Sequence, residues 1–142
     1  MECEFPKGNA SDDEIDAMLT SSKTIAVVGI SPKEDRPSHW IAKYLMDRGY
    51  KVFGVNPGIG ELFGQRVYKS LLDVPEPVDM VDIFRLPEAV PEIVDQAIAI
   101  KAKAIWMQEG IVNNAAADKA RAAGMKVVMN KCIYKEHAGR AL

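Results

Sequence analysis

Short runs of continuous apolar residues alternate along this chain with longer stretches in which apolar residues recur every three or four positions. Thr24-Ile25-Ala26-Val27-Val28-Gly29-Ile30 is the first run, apolar and rich in β-branched side chains. A strand covered on both faces has no polar alternate positions, so this run predicts a buried strand of a parallel sheet. Ahead of it, Ser11-Asp12-Asp13-Glu14 has the form of a capping box, in which a hydroxyl and a carboxylate satisfy free amides at a helix start. A helix over residues 11–22 is expected, with Ile15, Met18 and Leu19 on one face. Behind it, Pro37-Ser38 opens a helix through Trp40, Ile41, Tyr44 and Leu45 that stops at Gly49, a usual terminator.

The alternation continues. Tyr50 to Val55 reads as a second strand, broken by Asn56-Pro57-Gly58. Residues 59–78 read as a loop with a short strand near Val67-Tyr68 and a turn of helix at Ser70 to Asp73. Met80 to Phe84 is a third main strand, Pro87 to Ile100 a helix with Val90, Ile93, Val94, Ala97 and Ile98 inward, and Ala104 to Met107 a fourth strand. Asn113 to Ala123, closed by Gly124, is the next helix; Lys126 to Met129 is a fifth strand and Tyr134 to Ala141 a last helix. Strict alternation with buried strands predicts an α/β fold: a doubly wound, mainly parallel sheet of five to six strands, Rossmann-like, in the order 3-2-1-4-5. No repeat or linker interrupts it. One domain is expected over residues 1–142, with the N-terminal helix packed on it.

Composition narrows the partners. The net charge is −2, so a nucleic-acid reader, which draws its affinity from neutralising phosphates with a basic surface, is not expected. No apolar run approaches the roughly 20 residues that span a bilayer. The opening Met1-Glu2-Cys3-Glu4-Phe5-Pro6 lacks a basic segment followed by an apolar one, unlike a signal peptide. Cys3 and Cys132 are far apart in sequence. A reduced, cytoplasmic setting is the expectation.

In doubly wound sheets, ligands lie outside the carboxyl ends of the strands, at the switch point beside the first strand. That rule selects Gly29-Ile30-Ser31-Pro32, Val55-Asn56-Pro57-Gly58, Phe84-Arg85-Leu86-Pro87, Gln108-Glu109-Gly110 and Asn130-Lys131-Cys132, the tips of the five strands. Gly29 lets the backbone turn sharply and approach a phosphate, Ser31 offers a hydroxyl, and the next helix start offers free amides. Lys33 and Arg36 add charge there. Ser38 reads equally as the N-cap of that helix. The tip lacks the further glycines of a G-x-G-x-x-G fingerprint, and the second strand ends in Asn56-Pro57 where a dinucleotide site carries an acid; both departures count against NAD.

From Thr24 to Cys132 the chain resembles the small CoA-binding protein family, stand-alone versions of the CoA-binding domain of the succinyl-CoA synthetase alpha subunit. The resemblance is carried by Ala26-Val27-Val28-Gly29-Ile30-Ser31, Arg36-Pro37-Ser38, Gly49-Tyr50-Lys51-Val52 running into Val55-Asn56-Pro57, and Val81 to Val90. It continues in Ile105-Trp106-Met107-Gln108-Glu109-Gly110 and closes with Ala123 to Cys132. It implies coenzyme A or an acyl-CoA across the switch point, with Gly29, Ser31 and Ser38 at the pyrophosphate, helped by Arg36, and Ile30 among the cofactor-binding residues. It further implies Asn56 and Pro57 bordering the adenosine, Phe84, Arg85 and Pro87 lining the other side, and Gln108, Glu109 and Gly110 near the pantetheine. The synthetase's catalysis rests on a phosphorylated histidine in a second domain and on a partner subunit, which this chain lacks.

The implied function is a binding module, a carrier, sensor or regulatory protein for a small-molecule CoA ligand, with any protein partner or homo-oligomer left open. No complete catalytic constellation is legible. Two alternatives stand beside it: acyl or thiol transfer using Cys132 or Glu109, and a plain NAD or nucleotide-binding regulator. Arg85 is read either as a phosphate grip or as the ion-pair partner of Asp82 or Glu88. Phe84 is read as core or as an adenine stacker, and Cys132 as a small buried hydrophobe or a reactive thiol. A Cys132–His137 nucleophile and base are poorly aligned by five residues of helix. Neither His39 nor His137 has metal-site spacing.

Overall fold

The computed structural model describes residues 4–140 and Leu142; Cys3, and the end of the expected last helix at Ala141, lie outside them. Helix α1, Asp12–Ser21, starts from the capping box read in the sequence: Ser11 Oγ accepts from the Glu14 N–H at 3.2 Å, and Glu14 Oε1 accepts from the Ser11 N–H at 3.1 Å. These hydrogen bonds favour the ionised carboxylate and hold the Glu14 carboxyl below its ordinary value. Ser11→Ala removes the hydroxyl half of the box and is expected to cost about 1 kcal/mol, read as a lower urea midpoint at unchanged slope.

The rest of the chain lays down β1 (Thr24–Val28), α2 (Pro37–Asp47), β2 (Lys51–Val55), a small hairpin of β3 (Glu61–Leu62) and β4 (Gln65–Arg66), then β5 (Met80–Ile83). It continues with α3 (Val90–Ala99), β6 (Ala104–Met107), α4 (Asn114–Ala122), β7 (Lys126–Val128) and α5 (Ile133–Ala138). Leu71–Asp73 and Pro87–Ala89 are single 3₁₀ turns. The five long strands form one parallel sheet, so the expected α/β doubly wound fold is present. Among the described residues, no helix is long and apolar enough to cross a membrane.

The side chains alternate between two faces, as strand geometry requires. Ala26 and Val28 of β1, Val81 and Ile83 of β5, and Ile105 and Met107 of β6 pack under α3 and α4. Ile25, Val27, Met80 and Trp106 face α1, α2 and α5. Trp106 is wholly buried there and its indole N–H donates to the Lys131 carbonyl at 2.8 Å.

The strand order is β2-β1-β5-β6-β7. In terms of the five main strands this is 2-1-3-4-5 and not the expected 3-2-1-4-5: the third main strand pairs with the other side of β1. The reason lies in which strand can tolerate an edge. β2 carries the exposed Lys51 and the partly exposed Gly54, whereas all four residues of β5 are buried. The outer side of β2 is instead covered by its own continuation. The Tyr68 N–H donates to the Gly54 carbonyl at 2.9 Å and the Asn56 N–H to the Tyr68 carbonyl at 2.8 Å, which satisfies an edge that would otherwise be open. The short strand expected near Val67-Tyr68 is this single bridge plus the hairpin before it.

Asp82 of β5 lies in register between Val27 and Trp106. It is fully buried, and neither carboxylate oxygen has a hydrogen-bond partner among the described residues. Burial pushes its carboxyl well above the usual carboxylate range.

Candidate functional site

With β5 beside β1, the switch point falls between these two strands, and not between the first and fourth as the expected order required. The tip of β1 is drawn there to the tips of β2 and β5 on either side of it. The Gly29 N–H donates to the Val55 carbonyl at 2.9 Å, and the Phe84 N–H donates to the Val28 carbonyl at 2.9 Å. Gly29 has φ +92°, and a Cβ at that position would stand 2.6 Å from the Phe84 carbonyl oxygen. Glycine is therefore demanded twice, by the backbone angle and by the space.

A cleft of about 780 Å³ opens above this junction, lined by the first loop, the start of α2, the tips of β5 and β6, and the start of α5. Its size is that of a small-molecule site. Gly29, Ser31, Arg36 and Ser38 line it from the first loop and α2; Phe84, Arg85 and Pro87 from β5; Gln108, Glu109 and Gly110 from β6. The structure thus gathers these sequence-selected residues around one concavity. Ser38 is not the N-cap. That place belongs to Arg36, whose side chain makes no capping bond, while Pro37 fills the first helical position and Ser38 is buried inside the first turn.

Three selected residues stand elsewhere. The Ile30 side chain is buried and packs against Gly54. Asn56 has its amide engaged at both ends: Nδ2 donates to the Ile30 carbonyl at 2.7 Å, and Oδ1 accepts from the Gly58 N–H at 2.7 Å. Pro57 borders a separate depression with Arg66, Tyr68 and Asp73. In this structure Asn56 ties the tips of β1 and β2 to each other.

The electrostatics of the cleft are asymmetric. Lys33, Arg36 and Arg85 line it and form no ion pair among the described residues. The pairing of Arg85 with Asp82 or Glu88 weighed from the sequence is absent among them. Glu109 is matched by Lys135 of α5 at 2.8 Å; the hydrogen bond to Glu109 raises the Lys135 ammonium above its ordinary value. Gln108 Oε1 accepts from the Ile133 N–H at 3.2 Å, and the Gly110 N–H donates to Asn130 Oδ1 at 2.8 Å, so the β6 tip is pinned to α5 and to the β7 tip. Cys132 sits on the cleft wall, nearly buried. His137 shares a 2.8 Å hydrogen bond with the Tyr44 hydroxyl through Nδ1.

Reasoning from strand tips passed over Trp40, Ile41, Ile111 and Lys135, which also line the cleft. A helical signal for two of them was present. Trp40 and Ile41 follow Arg36 and Pro37 by four positions, so they share a helix face with residues already chosen.

The model of the CoA binding domain family matches residues 23–138. This chain belongs to the CoA-binding domain family. It is similar to proteins of the same size: the uncharacterized protein YneT of Bacillus subtilis is 38% identical over 130 residues, covering 92% of this chain and 96% of YneT. A solved structure of a hypothetical protein from Pyrococcus horikoshii superimposes with a TM-score of 0.92 at 39% identity, covering 100% of both chains. The CoA-binding domain also recurs inside larger enzymes. The ADP-forming acetate–CoA ligase of Methanocaldococcus jannaschii is 34% identical over 78 residues, which are 55% of this chain but 11% of the ligase.

Proposed function

We propose that this chain, as a single module, binds coenzyme A in the cleft above the β1–β5 junction and serves as a carrier, sensor or regulatory protein of CoA or its thioesters. The observation that carries the reading is the set of three cations, Lys33, Arg36 and Arg85, that form no ion pair among the described residues and line a cleft with Gly29. Cations without partners facing a concavity attract a polyanion, and CoA presents a pyrophosphate and a 3′-phosphate. Arginine suits such oxygens because its fork donates two parallel hydrogen bonds. Gly29 leaves room for close backbone approach, and the start of α2 adds a positive helix end and the Ser38 N–H, since Pro37 has no amide hydrogen and the His39 and Trp40 N–H groups donate to the Arg36 carbonyl. Membership of the CoA-binding family supports the same ligand.

Titration calorimetry with CoA, NAD and ATP tests the reading. Saturable binding of CoA, tighter than that of NAD or ATP, is expected. Arg85→Ala should weaken CoA by roughly 30-fold, equivalent to about 2 kcal/mol for lost charge-assisted bonds. An absence of CoA binding at millimolar ligand would overturn the proposal. The NAD alternative gains nothing from this geometry: the Asn56 side chain at the end of β2 is committed to Ile30 and Gly58. Neither does general-base chemistry at Glu109, whose carboxylate is held by Lys135.

A further inference from the structure

Five large hydrophobic side chains are exposed among the described residues, and two of them, Trp40 (40% exposed) and Leu86 (68%), line the same cleft. Single exposed hydrophobics need no explanation, but two bordering one concavity mark surface kept available for a ligand. Trp40 reaches toward α5, and Leu86 stands at the tip of β5. The Trp40 ring packs edge-on to Tyr134 of α5, with 5.2 Å between centroids. Leu86 follows the tip of β5, where the Pro87 carbonyl accepts from Asn113 Nδ2 at 3.1 Å, bringing that tip beside the loop that carries Ile111. Glu109 and Lys135, which also line the cleft, satisfy each other. The cations without an ion pair among the described residues are Lys33 and Arg36, on the first loop and the entry to α2, and Arg85, on the tip of β5 beside Leu86.

The cleft therefore combines three cations with exposed apolar side chains, while its Glu109–Lys135 pair is internally neutralised. A ligand that matches both has a phosphorylated head and an apolar tail. Free CoA supplies the head but ends in a small thiol and carries no apolar acyl chain to set against Trp40 and Leu86. We infer that the cleft prefers CoA thioesters of apolar acyl groups to free CoA, with the acyl chain lying against Trp40, Leu86 and Ile111. The inference rests on the CoA reading above and adds the ligand class to it.

Calorimetric titration of the wild-type protein with CoA, acetyl-, butyryl-, hexanoyl- and octanoyl-CoA, kept below their micelle thresholds, tests it. A fully buried methylene tightens binding roughly fourfold, and a half-covered one about twofold. Affinity should rise along the series by about twofold per methylene, and butyryl-CoA should bind more tightly than succinyl-CoA, which has the same carbon count but a terminal carboxylate. Leu86→Ser should flatten the gradient; because Leu86 is mostly exposed, the variant should keep the wild-type thermal midpoint. Binding of CoA with no dependence on chain length overturns the inference and leaves the CoA reading standing. Silence for CoA and every thioester alike removes the CoA reading, and this inference with it.

Discussion

Gly29→Ala is expected to abolish detectable CoA binding and to lower the thermal midpoint by roughly 10 °C. The new methyl would stand 2.6 Å from the Phe84 carbonyl oxygen and 3.0 Å from Arg85 Cδ. The first of these is a backbone atom, and its own strand is held by the bond from the Phe84 N–H to the Val28 carbonyl. Relief of the clash requires the tips of β1 and β5 to part, and that parting opens the floor of the cleft. A side chain at φ +92° adds about 1–2 kcal/mol of backbone strain. The combined cost is on the order of 3 kcal/mol, a large fraction of a typical domain's stability. Gly49→Ala provides the internal control. Its φ is +93° but nothing lies within 4 Å of the added Cβ, so it should show the strain alone and retain CoA binding. Calorimetry and thermal unfolding of both variants check this; equal behaviour of the two would refute the close-approach role of Gly29.

The second expected result concerns Asp82. Desolvation raises its carboxyl well above the usual range, with no cation or donor beside it to oppose the shift. In the unfolded chain the same carboxyl titrates near pH 4. Between these two values the folded state holds a proton that the unfolded state has released, so stability falls as pH rises, by up to about 1.4 kcal/mol per pH unit. The contribution is complete below about pH 4 and is lost progressively until the folded carboxyl itself ionises. Asp82→Asn, isosteric and neutral at every pH, should erase this slope. Its unfolding free energy should exceed that of the wild type by an amount that grows as pH rises above 4, at a slope of up to about 1.4 kcal/mol per pH unit. Urea denaturation of both proteins at three pH values decides it, and parallel pH profiles would show that the Asp82 carboxyl finds a partner in solution.

The alternation of elements was legible because each strand is buried on both faces and so reads as an unbroken apolar run. Strand order was not, because pairing depends on which edge is left open. Even so, a clue existed: Lys51 and Gly54 in one candidate strand, against Met80-Val81-Asp82-Ile83 in the other, distinguish an edge from a centre. Asp82 itself argued weakly the other way, since a carboxylate is an improbable resident of a central strand. At the cleft, the strand-tip rule found residues whose location depends on backbone topology alone. It does not register where side chains turn, as that of Ile30 does toward Gly54 and that of Asn56 toward the first loop, and it passed over Trp40, which reaches the cleft from a helix. The N-cap reading of Ser38 failed by two positions because Pro37, with no amide hydrogen, takes the first turn's opening place.

The double engagement of Asn56 has a consequence for how a ligand would arrive. Its amide clamps the carbonyl of Ile30 and the amide of Gly58 before anything occupies the cleft, so the first loop takes its shape during folding. The entropy of ordering that loop is settled at that stage and does not recur with each encounter. Such a preset loop favours quick association and a bound state that differs little in backbone from the empty one, as the sensor role proposed above would require.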